Sequence, residues 1–403
     1  MRVGIYVGSD QPEAGGGYTF EHDVLEGVVA AGTSTPHRFS VLCAPTAVSA
    51  LGEGLAGTGI DVHPVAYRLV DRALARVLRY SAFARCNWRR SSPLDRVAAG
   101  AGVEMLWFLG GSLHLTDLPY LAVVWDLHHR ITPWFPEVSA RGVWDGRELG
   151  HAWFLRRASG VITGTQAGRE ELERFYQLSP DLVHVLPYPT PRFALDAASS
   201  PEIGTARRLG IRGKYVVYPA QFWPHKNHAN LLKALALLRA QHGVSIELAL
   251  VGADKGNRAH TEWLARDLDI ADAVHFLGFV PRADLIGLYR EAIALTYVSW
   301  FGPDNLPPLE AFALGCPVIA SRLAGAAEQL GSAALLVDAG SPKEIAQAVT
   351  SLLDDDGLRA RLVTAGRERA RRWTATDYVR GVFTIFDRFE TILSCWRPPR
   401  AAS

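Results

Sequence analysis

Nowhere in the chain do 18 consecutive apolar residues occur, which argues against a membrane-spanning helix. The opening Met1-Arg2-Val3-Gly4-Ile5-Tyr6-Val7 reads as a strand and not as a signal peptide, so the expected location is the cytoplasm. Cysteine is scarce. Cys43, Cys86, Cys316 and Cys395 stand far apart and form no CxxC pair, which removes a zinc or dithiol signature and fits a reducing compartment. An excess of one charge is also missing, with 42 Lys and Arg against 41 Asp and Glu, so no nucleic-acid partner is expected. Lysine is rare, at 214, 226, 233, 255 and 343 only, in a chain otherwise dominated by arginine.

What is present is an ordinary globular composition, 48% hydrophobic and 21% charged, which excludes general disorder. At roughly 150 residues per domain, 403 residues leave room for two or three domains. Short apolar runs at 3–7, 39–43, 105–109, 121–125, 161–163 and 183–186 alternate with amphipathic stretches and read as buried parallel strands. Residues 194–205 lack periodicity and read as a linker. The theme then restarts with runs at 215–218, 246–251, 274–277, 293–298, 317–320 and 334–337. Two doubly wound α/β domains, 1–195 and 206–375, are expected, with ligands outside the carboxyl ends of the strands and a cleft between the domains. A last helix, 376–403, carries Val379, Val382, Phe383, Phe386, Phe389 and Ile392 on one face, which must pack on something.

Four carboxyl-end segments could carry chemistry. The first is Gly15-Gly16-Gly17 before a helical stretch, where Gly16 and Gly17 let backbone amides approach an anion; it equally reads as a surface loop and is not a GxGxxG fingerprint. In Trp125-Asp126-Leu127-His128-His129-Arg130, Asp126 either steadies an imidazole such as His128 near the reacting groups or caps a helix. The third, Gln221-Phe222-Trp223-Pro224-His225-Lys226, precedes a helix, and the compact ammonium of Lys226 suits a phosphate. In the fourth, Asp304 or Asn305 can cap a helix that opens Leu306-Pro307-Pro308, because prolines are tolerated where N–H groups would be unpaired anyway. Glu310 follows one turn inside, placed to accept hydrogen bonds from a ribose diol.

Together these residues resemble the retaining nucleotide-sugar glycosyltransferases of family four, the group 1 glycosyltransferases, over nearly the whole chain and most specifically over 215–337. The resemblance implies the GT-B fold, two Rossmann-like domains facing across a cleft with the C-terminal helix crossing back to the first. It implies a nucleoside-diphosphate sugar as substrate, no cofactor and no metal. It would place Lys226 at the diphosphate, Glu310 at the ribose, and Gly252, Phe279 and Val280 near the base. Gly16 and Gly17 would approach the phosphate, and Asp126 and His128 would lie beside the transferred sugar or acceptor. Two positions depart from the family pattern. Gly302 stands where a glutamate usually contacts the donor sugar, leaving that contact to Asp304, Asn305 or backbone amides, and Gln221 stands where many members place an arginine.

The acceptor is less legible. Within 67–96, Arg68, Arg72, Arg76 and Arg79 recur at helical spacing, backed by Leu69, Val70, Leu74, Val77 and Leu78. With Arg85, Trp88, Arg89 and Arg90 nearby, this reads as a basic helix docking at the inner face of a membrane beside a lipid-linked saccharide, or as a plain solvated face. The expected function is hexosyl transfer to a saccharide or lipid-linked acceptor in cell-surface glycan assembly. A small natural product as acceptor, or a non-catalytic sugar-nucleotide-binding subunit, are the alternatives.

Overall fold

Runs such as Val3-Gly4-Ile5-Tyr6-Val7 and Met105-Leu106-Trp107-Phe108 offer no polar face, so a strand made from them must be covered on both sides. In the computed structural model, which describes residues 1–8, 15–81, 83, 91–111, 114–197, 204–242 and 245–396, such runs form two wholly parallel sheets. The chain divides into a first unit, Met1–Arg130 with Arg141–Pro187 and Ala375–Ser403, and a second, Ile131–Ala140 with Tyr188–Thr374.

The first unit's sheet holds β1 (Arg2–Val7), β2 (Arg38–Cys43), β3 (Asp61–Pro64), β4 (Met105–Phe108), β5 (Tyr120–Val123), β6 (Gly160–Thr163) and β7 (Val183–Val185), in the order β3-β2-β1-β4-β5-β6-β7. β3 is absent from the strands expected above. Asp61-Val62-His63-Pro64 carries little apolar surface and sits at the sheet edge on β2, where a proline is tolerated. The helix Gly16–Ala31 begins earlier than its sequence pattern, with Gly15 at φ 79 before it, so Gly16 and Gly17 form a first helical turn instead of a loop. Among the described residues, the basic stretch 67–96 includes the helix Leu69–Tyr80 and the start of the helix Pro93–Gly100; Arg85, Trp88, Arg89 and Arg90 lie outside the described residues.

The last helix, Ala375–Leu393, belongs to this unit. Tyr378, Val379, Val382 and Phe386 are fully buried on it, and Phe383 stacks on Phe39 of β2 with ring centroids 5.3 Å apart. Gly27 lets this helix approach Gly16–Ala31, since a Cβ there would lie 2.7 Å from the Ala375 carbonyl oxygen. His37 Nε2 stands 3.1 Å from Asp387 Oδ1 of the same helix.

The second unit's sheet holds β8 (Tyr215–Pro219), β9 (Glu247–Val251), β10 (Val274–Gly278), β11 (Ala294–Tyr297), β12 (Val318–Ser321) and β13 (Ala334–Val337), in the order β10-β9-β8-β11-β12-β13. In both sheets the order reverses beside the first strand, between β1 and β4 and between β8 and β11. Such a switch point is where an open α/β sheet binds its ligand. A helix Arg192–Ala197 occupies the start of the expected linker, whose residues 198–203 are outside the described set.

Candidate functional site

The switch point of the second unit brings the loop after β8 against the loop after β11. The carbonyl of His225 accepts from Trp300 N–H at 2.8 Å and from Ser299 Oγ at 3.1 Å. Lys226, half-buried, donates from Nζ to Tyr297 Oη at 2.8 Å and lies 5.1 Å from that ring's centroid. The turn carrying Lys226 is pinned on both sides. Tyr218 Oη donates to the Lys226 carbonyl at 2.6 Å, and buried Asn227, left-handed at φ 59, donates from Nδ2 to the carbonyls of Val298 and Ala339. The ammonium is thus held beside an aromatic face instead of hanging in solvent.

Gly252, at the end of β9, has φ 151, and a Cβ there would lie 2.4 Å from the Ala220 carbonyl oxygen. Its N–H donates to the Gly278 carbonyl at 2.8 Å, so the loops after β8, β9 and β10 converge on this glycine. Val280 is buried there and Phe279 is 60% exposed. Gln221 Oε1 accepts from Trp223 Nε1 at 3.0 Å.

The helix Leu306–Leu314 follows the β11 loop, with Asn305 at its N-cap position but making no side-chain cap. The prolines explain this, because a cap accepts from the second or third helical N–H and those positions are Pro307 and Pro308. Asn305 instead donates from Nδ2 to the Gly302 carbonyl at 2.7 Å. Gly302 has φ 139, and a Cβ there would lie 2.5 Å from Asn305 Oδ1, so the loop is built around the missing side chain. Asp304 turns inward, one oxygen accepting Tyr188 N–H at 3.0 Å and the other the Gln329 amide. Gly302 and Asn305 line a cavity with Ser299, Tyr297, Ser321 and Gln329.

Two carboxyls of this unit are pushed far up. Burial raises Glu310 to about 7, opposed by the hydrogen bond from Tyr289 Oη, 2.7 Å from Oε2, and by the charge of Arg282. Burial likewise raises Asp304 to about 7 against the bonds from Tyr188 and Gln329.

In the first unit, Asp126 caps a helix and pairs with an arginine. Its Oδ1 accepts the His128 N–H at 2.8 Å, capping the short helix His128–Ile131, and Arg147 Nη2 at 2.6 Å. Burial pushes this carboxyl up, but Arg147 and the His128 amide prevail and hold it well below the usual carboxylate range. Asp126 and Arg147 line a cavity of about 670 Å³ with His114, Trp125 and His151. His128 is buried. His129 is buried too, its Nε2 3.0 Å from Tyr176 Oη within a network that includes Glu148 and Arg130. The unit's switch point holds a residue that sequence reading missed. Glu21 is fully buried, accepts the N–H of Gly8 at 3.2 Å, and lies where a Cβ on Gly110 would be 2.6 Å away. Tyr297 and Glu137 were also missed, because each meets the Lys226 loop from far along the chain. Only the placement of Tyr297 on a strand neighbouring β8 could have pointed to it.

Comparison with known proteins follows the same division. The Glycosyl transferases group 1 family matches residues 206–369. The D-inositol 3-phosphate glycosyltransferase of Acidothermus cellulolyticus is 31% identical over 60% of this chain and 55% of its own length. The MMP alpha-(1→4)-mannosyltransferase of Mycolicibacterium hassiacum is 27% identical over 68% and 65%. The chain therefore spans little more than half of the first of these relatives. Among solved structures, a glycosyltransferase from Rickettsia africae superposes with TM-score 0.70 at 14% identity, covering 96% of this chain and 98% of that one. WaaG, a glycosyltransferase involved in lipopolysaccharide biosynthesis, superposes with TM-score 0.67 at 16% identity, covering 95% and 99%. The chain has the GT-B fold, and its residues 206–369 are a group 1 glycosyl transferase domain.

Proposed function

We propose that the protein transfers a hexose from a nucleoside-diphosphate sugar to a saccharide or lipid-linked acceptor with retention of anomeric configuration. The observation that carries this reading is Lys226, an oriented ammonium at the switch point of the group 1 domain, fixed over Tyr297. In such a reaction the diphosphate leaves from the face the acceptor attacks, and stabilising its growing charge matters more than a protein nucleophile. Lys226 takes the diphosphate, Glu310 the ribose hydroxyls, and the Gly252 to Val280 region the base. The sugar contact is assigned to the Gly302–Asn305 loop through Asn305 and backbone groups, since both oxygens of Asp304 already accept bonds within the fold. Asp126 and Arg147, on their cavity in the first unit, are assigned to the acceptor side.

Relatives named for D-inositol 3-phosphate and for mannosyl transfer support a cyclitol or saccharide acceptor, and the likeness to a lipopolysaccharide enzyme supports a role in surface glycans. No helix among the described residues is long and apolar enough to cross a membrane. Peripheral docking is supported by the helix Leu69–Tyr80, where Leu69 is 83% and Val70 is 70% exposed beside arginines, with Phe83 exposed just beyond it.

The test is calorimetry and thermal shift against UDP, GDP, ADP, CMP and dTDP sugars, repeated on Lys226→Ala and Glu310→Ala. One nucleotide sugar should bind, both variants should weaken it, and Lys226→Ala should slow transfer by about two to three decades. Absence of binding, or binding blind to both substitutions, would favour a non-catalytic scaffold.

A further inference from the structure

Glu137 lies on Ile131–Ala140, a segment that the chain inserts into the second unit between two stretches of the first. Its side chain is 6% exposed. Oε1 accepts twice from one residue, from the His225 backbone N–H at 3.0 Å and from His225 Nδ1 at 2.5 Å. Oε2 is buried and accepts no hydrogen bond among the described residues. A carboxylate buried with one bare oxygen is costly, and the two bonds that its other oxygen accepts from His225 offset that cost. Burial pushes the Glu137 carboxyl up, and the bonds from His225 outweigh it.

His225 immediately precedes Lys226. Its carbonyl is held by Trp300 and Ser299, so Glu137 grips the ring and the N–H while the β11 loop grips the other end of the residue. The other bonds on this turn, from Tyr218 and Asn227, arise within the second unit's own strands and loops. Glu137 arrives from the inserted segment. That insertion is also a costly excursion, because the chain leaves it through Arg141 at φ 56 and Gly142 at φ 72, two successive left-handed residues. A left-handed arginine costs about 1 kcal/mol and persists where surrounding contacts demand it.

We propose that Glu137 is a positioning residue for the donor diphosphate, fixing the Pro224–Lys226 turn through His225 so that the Lys226 ammonium points at the phosphates. This rests on the donor-site reading above. In this role Glu137 acts through its neighbour His225, so its loss should be felt only where Lys226 is felt.

The test titrates UDP, GDP and ADP, with uridine, guanosine and adenosine as controls, into the full chain and into Glu137→Gln, Lys226→Ala and the double variant. Circular dichroism and the thermal midpoint establish that each variant is folded. For the base that binds, Glu137→Gln should weaken the diphosphate about tenfold, leave the nucleoside within about twofold, and add nothing further to Lys226→Ala. If Glu137→Gln binds the diphosphate as the parent does while Lys226→Ala does not, the proposal is overturned and the donor site stands. Equal weakening of nucleoside and diphosphate would make Glu137 a structural staple and also overturn it. If no nucleotide binds, or Lys226→Ala changes nothing, the donor-site reading falls and the proposal with it. Should Glu137→Gln fail to fold, His225→Asn keeps the backbone bond, removes the ring, and is read by the same criteria.

Discussion

At Glu310 the helix and the pH scale meet. The carboxyl is buried one turn into Leu306–Leu314, and burial holds it near 7 while an unfolded chain would return it to 4.5. A raised carboxyl means that the folded state binds the extra proton between those two values. Stability is therefore full below about 4.5 and is lost as pH rises through about 7. Glu310→Gln keeps the shape and removes the charge, so it should match the parent at pH 4 and exceed it at pH 8 by on the order of 2–3 kcal/mol. Thermal midpoints across that range check this, and a difference independent of pH would show that the carboxyl is not the cause. Lys226 and Glu310 could be singled out as candidates because a rare lysine before a helix and an acid after Pro307-Pro308 stand out locally. Glu137 and Tyr297 were not, since their partners lie 88 and 71 positions away in sequence.

At the scale of elements, the candidate donor site is the meeting of loops that follow β8, β9, β10 and β11. Gly252 is the closest approach, with the Ala220 carbonyl filling the place of its side chain. Backbone cannot step aside as a side-chain tip can, and φ 151 is closed to other residues. Gly252→Ala should cost about 3 kcal/mol and lower the thermal midpoint by roughly 5–10 °C, with nucleotide binding weakened, as scanning calorimetry and titration would measure. An unchanged midpoint would mean that these loops are not in contact. Strands were readable wherever both faces are buried, as in β4 or β8. The edge strand β3 was not, because half-exposed residues carry no period. Nor was the early start of the helix Gly16–Ala31, because glycine carries no helical signal even where Gly15 makes the left-handed turn that permits it.

At the scale of the whole molecule, the chain's two units are not two halves of the sequence. The first is completed only by Ala375–Ser403, and the apolar face of its last helix, plain in the sequence, had no partner that periodicity could name. Tyr378, Val379, Val382, Phe383 and Phe386 are buried at 0–5% exposure against that unit. At about 1.5–3 kcal/mol for each large apolar side chain removed from water, they contribute roughly 10 kcal/mol. A domain's entire stability is about 5–15 kcal/mol. A chain ending at Thr374 should therefore lose the first unit while retaining the sheet of the second. Amide exchange would then find β1, β2 and β4 unprotected and β8, β9 and β11 still slow. Persistent protection in β1 and β2 would show that the core of the first unit stands without the helix. The close approach of Gly27 to Ala375 would then align the helix without supporting the fold.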